Sequence, residues 1–76
     1  MPHVVIKMLP GRSEAQKQRV AEAITQAVVA TAGCGAEAVS VDIVDVPAED
    51  WTAQVYTPEI RAHWDRLYKK PGYEPD

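Results

Sequence analysis

VVIKMLPGRSEAQ, residues 4–16, contains one predicted secondary-structure element and the start of the next. Its first six residues, 4–9, are β-branched at the start and almost continuously apolar, which is typical of a strand buried on both faces. Pro10-Gly11 ends this strand. Ser13 and Gln16 have the spacing of a capping box, in which each side chain accepts from the other residue's backbone N–H. The stretch therefore predicts a strand, a short turn and a helix that begins at Ser13.

The next segments complete a strand-helix-strand unit. Apolar residues recur with the spacing of one helix face: Val20, Ile24, Ala27, Val28 and Ala32. Charged and polar residues mostly occupy the other face: Glu14, Lys17, Arg19, Glu22 and Gln26. Gly33-Cys34-Gly35 is predicted to end the helix, since glycine readily adopts the left-handed conformation there. Residues 39–46 then alternate with a period of two, which predicts a second strand parallel to the first.

The C-terminal residues predict a second helix. Residues 47–51 are predicted to form an irregular turn or a short 3₁₀ segment, and Thr57, Pro58 and Glu59 have the pattern of an N-cap, an N1 proline and an acidic first turn. One apolar face follows: Ile60, Trp64, Leu67 and Tyr68. Lys69-Lys70 is predicted at the helix C-terminus, before a mobile tail over residues 73–76. We expect one α/β domain over residues 1–76.

The composition of the chain argues against several classes of protein. The chain has 76 residues, is 46% hydrophobic and carries a net charge of −3, which argues against a general nucleic-acid binder. The absence of a long apolar run and of a signal-peptide pattern predicts no membrane partner and a cytoplasmic location. The single cysteine, Cys34, offers neither a disulfide nor a cysteine-rich zinc site. Because so short a chain buries little apolar surface, we expect a homo-oligomer whose sheets join across subunits.

Most residue patterns that carry chemistry are missing from the sequence. There is no glycine-rich phosphate loop after a strand, and His3 and His63 have no metal-ligand spacing, so we expect no cofactor and no metal. The two serines, Ser13 and Ser40, are interpreted as a helix cap and a strand residue, which leaves a serine triad without support. We interpret Cys34 as a partly buried thiol without a catalytic role.

The remaining candidate is the amino terminus. Initiator methionine is generally removed when a small residue such as Pro2 follows it, and Pro2 would then carry a free secondary amine. An ordinary α-amino group titrates near about 8, and partial burial with a neighbouring cation such as Arg12 would lower that pKa. Pro2 would then be able to accept a proton at neutral pH.

Together these features resemble the 4-oxalocrotonate tautomerase family. The resemblance covers residues 2–46 in order and spacing: a proline after Met1, the strand ending in residues 9–13, the helix through Gln16-Lys17 and the second strand. The C-terminal part, with Trp51 and the run at residues 69–73, is similar to the short branch of that superfamily that forms dimers rather than hexamers. The resemblance implies a β-α-β protomer with the proline at the base of a pocket near the subunit interface.

The resemblance also implies roles for individual residues. Pro2 is the general base that moves a proton between oxygen and carbon of an enol acid such as 2-hydroxymuconate or phenylenolpyruvate. Arg12 corresponds to an arginine that binds a substrate carboxylate, to which its planar fork is suited. Ser40 stands where well-studied members have a second arginine, so we expect weaker binding of diacids. Trp51 is either an aromatic pocket wall or a packing residue, and His3 either tunes the pocket or faces solvent or a partner chain.

Three functional alternatives follow. The first is a cofactor-independent keto–enol tautomerase acting on small enol or 2-oxo carboxylic acids. The second is a hydratase or dehalogenase of a small unsaturated acid, in which a protonated Pro2 acts as an acid. The third is a non-enzymatic α/β ligand-binding or interaction module, since a fold does not determine a function.

Overall fold

The computed structural model describes residues 1–75, which form two compact units that divide after Asp45. The first unit contains strand β1 (His3–Met8), helix α1 (Glu14–Ala32), a 3₁₀ turn at Ala36–Ala38 and strand β2 (Ser40–Asp45). β1 and β2 pair in parallel, so the predicted β-α-β arrangement is confirmed. Asp76, part of the predicted tail, lies outside the described residues.

Helix α1 begins and ends at the residues that the sequence pattern predicted. Gln16 N donates to Ser13 Oγ at 3.1 Å, and Ser13 N donates to Gln16 Oε1 at 2.8 Å, which completes the capping box. At the other end Gly33 has a φ of 73°, the left-handed conformation that is accessible to glycine without a Cβ clash. The helix bounds are therefore set by local sequence.

The register of the two strands determines which side chains share a face of the sheet. His3 pairs with Ser40, and the pairing continues in step to Met8 and Asp45. Lys17 of α1 bonds Asp45, so the helix covers the face that also carries Val41 and Ile43. The opposite face, which we call the outer face, carries the alternate residues of both strands: His3, Val5, Lys7, Ser40, Asp42 and Val44.

The buried side of α1 differs in part from the predicted one. Val20, Ile24 and Val28 are half-buried as expected, whereas Ala27 and Ala32 are exposed. Lys17, predicted on the solvent side, is only 17% exposed and lies on the sheet side, where Asp45 accepts from its Nζ at 2.8 Å. A long lysine stem covers apolar surface while its ammonium reaches a partner, which the apolar pattern alone does not reveal.

The second unit begins at Val46 and is helical but irregular. A 3₁₀ turn at Ala48–Asp50, as predicted, is followed by a helix with wider π-type turns over Thr52–Ile60 and a 3₁₀ segment over Arg61–Arg66. The predicted N-cap at Thr57 was therefore wrong, because the observed N-cap is Trp51, six residues earlier, and Pro58 lies inside the helix. Proline has no N–H to donate, so the bonding pattern around it departs from that of an α-helix.

The end of this unit also corrects the prediction. Helical structure stops at Arg66 and Leu67 is extended, so Lys69-Lys70 lies beyond the helix. Tyr68, predicted on the apolar face, is fully exposed. The buried hydrophobic side chains of this unit are Val46, Val55 and Tyr56. None of the helices within residues 1–75 is both long and apolar enough to cross a membrane.

Candidate active site

Parallel pairing brings the amino-terminal ends of β1 and β2 together at one end of the sheet. Ser40 N donates to the carbonyl oxygen of Pro2 at 3.1 Å. Since a residue's own nitrogen and carbonyl oxygen are less than 4 Å apart by standard backbone dimensions, the Pro2 nitrogen lies within about 7 Å of the Ser40 backbone nitrogen. Pro2 is half-buried, whereas Met1 is fully exposed. The structure therefore places two predicted site residues, Pro2 and Ser40, side by side.

His3 joins them through its side chain. Its Nδ1 lies 2.6 Å from Ser40 Oγ, and the two residues are direct cross-strand partners on the outer face. This contact joins residues 37 positions apart in the chain, and both are solvent-exposed. Of the two alternatives for His3, the contact favours a role at this site. Either group can donate, depending on which imidazole nitrogen carries a proton.

Arg12, the fourth predicted site residue, lies far from the other three in the same chain. Its Nη1 donates to the backbone carbonyl of Leu9 at 3.1 Å, and the residue is exposed. Leu9 follows β1 directly, so the whole strand separates this guanidinium from Pro2. At a rise of about 3.3 Å per residue, the separation is on the order of 20 Å. One chain therefore does not bring Arg12 to the Pro2 end of the sheet.

Trp51, the fifth predicted site residue, belongs to the second unit and is half-buried there. Its indole Nε1 donates to the hydroxyl of Tyr73 at 2.9 Å, and the Tyr73 ring lies 5.9 Å from that of Tyr56. The indole N–H is thus already bonded within its own unit, which favours the packing interpretation of Trp51. The same contacts hold Tyr73, a residue of the tail that was predicted to be mobile.

Sequence reasoning missed two groups that share the outer face with His3 and Ser40. Asp42 lies two residues beyond Ser40 on β2, and Lys7 lies four residues beyond His3 on β1. Strand alternation, visible in the sequence, places both on this face once the register is known. A carboxylate and an ammonium therefore accompany the candidate site along the sheet.

The clearest electrostatic perturbation lies on the helix-covered face. The hydrogen bond to Asp45 raises the pKa of Lys17 above its ordinary value, the charges of Asp45 and Glu14 add to this rise, and partial burial opposes it. Lys17 Nζ is 2.8 Å from Asp45 and 3.9 Å from Glu14. Because this group is on the other side of the sheet from His3 and Ser40, we assign it a structural role. Cys34 is half-buried.

Comparison with known proteins identifies what the chain is similar to. A family model described as a tautomerase enzyme matches residues 2–59. A probable tautomerase from Xylella fastidiosa is 42% identical over 73 residues, covering 96% of this chain and 89% of the relative. A 2-hydroxymuconate tautomerase from Comamonas testosteroni is 49% identical over 51 residues, covering 67% of this chain and 81% of the relative.

A solved structure gives the same result for the fold. A 4-oxalocrotonate tautomerase isozyme from Methylibium petroleiphilum is 44% identical and superposes with a TM-score of 0.63. The match covers 66% of this chain and 81% of that one. The similarity to the Xylella protein extends over nearly the whole chain, whereas the similarity to the 2-hydroxymuconate and 4-oxalocrotonate enzymes covers about two thirds of it.

Proposed function

This chain belongs to the tautomerase enzyme family, and we propose that it is a cofactor-independent keto–enol tautomerase of small enol or 2-oxo carboxylic acids, with Pro2 as its general base. Family membership makes the chain an enzyme with tautomerase activity, an isomerisation, and decides against the non-enzymatic alternative. The identity of the substrate and the role of Pro2 are the proposal. The observation that supports it most is the placement of Pro2 beside the hydrogen-bonded pair His3 and Ser40.

Pro2 acts after removal of Met1, whose full exposure is compatible with that processing. The neutral secondary amine accepts the proton of the enol hydroxyl, which leaves an enolate. The resulting ammonium then donates a proton to the substrate carbon, which forms the ketone and restores the amine. No net proton is consumed, so a single nitrogen serves as base and then as acid.

The substrate is an acid with one carboxylate, such as phenylenolpyruvate. Ser40 offers one O–H donor and no fixed charge, so a second carboxylate at this position would lack a charged partner. A relative named a 2-hydroxymuconate tautomerase keeps that diacid as a second candidate. We expect a higher kcat/KM for the monocarboxylic enol.

Arg12 binds the substrate carboxylate from a second copy of the chain. Its separation from Pro2 along β1 prevents the two from sharing a pocket within one protomer, whereas a neighbouring protomer can present its Arg12 at the Pro2 end. A two-stranded sheet also leaves strand edges that a second chain can pair with. We propose a homodimer rather than a hexamer, with the sheets of two chains joined.

The exposed apolar surface supports association. No side chain of the described residues 1–45 is fully buried, and Val5 and Leu9 remain 48% and 42% exposed. A β-α-β unit with so little buried surface has a small folding free energy on its own. Sedimentation equilibrium distinguishes the dimer from a monomer or a hexamer.

The experiment that tests the function is ultraviolet-monitored ketonisation of phenylenolpyruvate across pH, with protein whose loss of Met1 is checked by intact mass. Pro2→Ala keeps a free amine but loses the proline ring, whereas an N-terminally extended protein keeps the ring but converts its nitrogen to an amide. Since a positioned general base contributes about 10²- to 10⁴-fold, the extended protein should lose that factor in kcat/KM.

Two results would contradict the proposal. The extended protein could retain the activity of the processed protein, which would exclude the amine as base. Alternatively, the processed protein could fail to exceed the buffer rate while converting a 3-halo-acrylate or an acetylenic acid, which would favour the hydratase or dehalogenase alternative. Arg19→Ala, which removes an exposed helix cation outside the site, is the matched control for surface charge.

A further inference from the structure

We propose that His3 is a positioning residue that directs the Ser40 hydroxyl towards an anionic oxygen of the substrate, with a proton held on His3 Nδ1. This inference rests on the proposed function and adds a specificity element to the same site. Its structural basis is the 2.6 Å contact between Nδ1 and Oγ at the Pro2 end of the sheet.

The contact has two hydrogen-bonding states with opposite consequences. If Nδ1 lacks a proton, the Ser40 hydroxyl donates to it and presents only lone pairs to the substrate. If Nδ1 carries a proton, it donates to Oγ and the hydroxyl proton points away, free to donate to a substrate oxygen. A carboxylate or enolate oxygen can be bound only by the second state. Binding of such an oxygen therefore selects the Nδ1-protonated form of His3.

The backbone keeps the two side chains in place for this role. His3 and Ser40 are direct partners in the parallel register, and Ser40 N is bonded to the carbonyl of the residue before His3. The pair is thus fixed by the strands rather than by a loop. A hydroxyl aimed by a fixed neighbour makes a better electrostatic donor than one that rotates freely, because it needs no reorganisation when charge develops.

Two charged groups share the outer face with the pair, Asp42 on β2 and Lys7 on β1. The free amine of Pro2 adjoins His3 and is neutral in the state that acts as base. On the helix-covered face, Lys17, Asp45 and Glu14 compensate one another and are separated from His3 by the sheet.

This arrangement assigns the substrate class at the Ser40 position. One directed O–H suits a single oxygen of a 2-oxo acid or its enolate. The geometry does not supply the two parallel donors that a bidentate carboxylate takes from arginine. We therefore expect the pair to bind the carbonyl or enolate oxygen, while Arg12 of a second copy binds the carboxylate.

A double-mutant cycle on phenylenolpyruvate ketonisation tests the coupling. Ser40→Ala should lower kcat/KM by roughly ten- to a hundredfold, the usual cost of losing a hydrogen bond to a charged group. His3→Val should lower it by roughly tenfold, but by less than about twofold once Ser40→Ala is present, because its effect acts through the hydroxyl. His3→Asn retains a donor near the Nδ1 position and should restore most of the loss. His63→Phe, at the chain's other histidine, is the matched control.

A second measurement needs no variant. In ¹⁵N-histidine-labelled protein, the ring nitrogen shifts of His3 report which nitrogen carries the proton. Phenylpyruvate, the ketone product, is added at a concentration that saturates product inhibition. We expect Nδ1 to be protonated in this complex, and His63 to be unchanged.

The outcomes are distinct. If the processed wild-type protein is active, depends on the Pro2 amine and shows a protonated Nδ1 with coupled losses, the inference holds. The positioning role is wrong, while the proposed function stands, if that activity is present and either of two results is found. The first is a double variant whose loss in kcat/KM equals the product of the losses of His3→Val and Ser40→Ala. The second is an Nδ1 that stays an unprotonated acceptor in the complex. If the wild-type protein shows no Pro2-dependent ketonisation, the proposed function itself has failed.

Discussion

Mixing two impaired variants should recover activity if the active site is shared between chains. N-terminal extension converts the Pro2 nitrogen to an amide and so removes the proposed base, and Arg12→Ala removes the proposed carboxylate ligand. Within one chain the Arg12 guanidinium is held at Leu9, on the order of 20 Å from Pro2 along β1. No rotation of a single arginine side chain spans that distance, so a site that contains both Pro2 and Arg12, as we propose, takes them from different chains.

The expected recovery of activity follows from the fraction of sites that contain both an intact Pro2 and an intact Arg12. In an equal, randomly assembled mixture, half of the Pro2 positions and half of the facing Arg12 positions are intact. About a quarter of the sites then carry both residues, whether the assembly is a dimer or a larger ring. The activity of the extended protein alone should fall by roughly 10²- to 10⁴-fold, and that of Arg12→Ala alone by roughly ten- to a hundredfold. A mixture at about 25% of wild-type activity is thus at least about two and a half times as active as the better parent.

The assay is phenylenolpyruvate ketonisation after the N-terminally extended protein and processed Arg12→Ala are unfolded together in denaturant and refolded. Native mass spectrometry of variants differing in isotope label verifies that mixed oligomers form. Each variant refolded alone is the control for damage during refolding. Mixed oligomers with no more activity than the average of the two parents would refute the shared site and place Pro2 and Arg12 in separate functions.

Two further predictions concern the stability of the first unit. Ser13→Ala removes the acceptor of the Gln16 N–H, which is one half of the capping box. The variant should lose about 1 kcal/mol of unfolding free energy, and its Tm in a scanning calorimeter should fall by roughly 4–8 °C. An unchanged Tm would show that the capping box does not stabilise α1. Lys17→Met should lower the urea midpoint at pH 7 while Arg19→Met does not, because only Lys17 bonds Asp45. The pKa of Lys17 is raised in the folded state. The difference between the urea midpoints of Lys17→Met and Arg19→Met should therefore be fully present below the ordinary lysine pKa of about 10.4 and disappear as the pH rises through the folded-state pKa. A difference in midpoint that persists at the most alkaline pH would contradict the ion pair.

Local sequence was a good guide to the first unit and a poor one to the second. The capping box at Ser13, the left-handed Gly33 and the parallel strands were all predicted, because each depends on residues within a few positions or on a simple period. The start of the second helix was predicted six residues too late, since Thr57-Pro58 resembles a helix start. A proline at N1 and a proline inside an irregular helix give the same local pattern, and only the surrounding turns distinguish them.

The sequence by itself determined the order and type of the elements of the first unit and made Pro2 a candidate base, since these depend on residue chemistry and short-range spacing. Tertiary structure alone decided which distant residues meet. The register of β1 on β2 pairs His3 with Ser40, and the packing of α1 on the sheet brings Lys17 to Asp45. A shift of one residue would move each strand's side chains to the other face of the sheet, and the packing that fixes the register involves residues far apart in the chain.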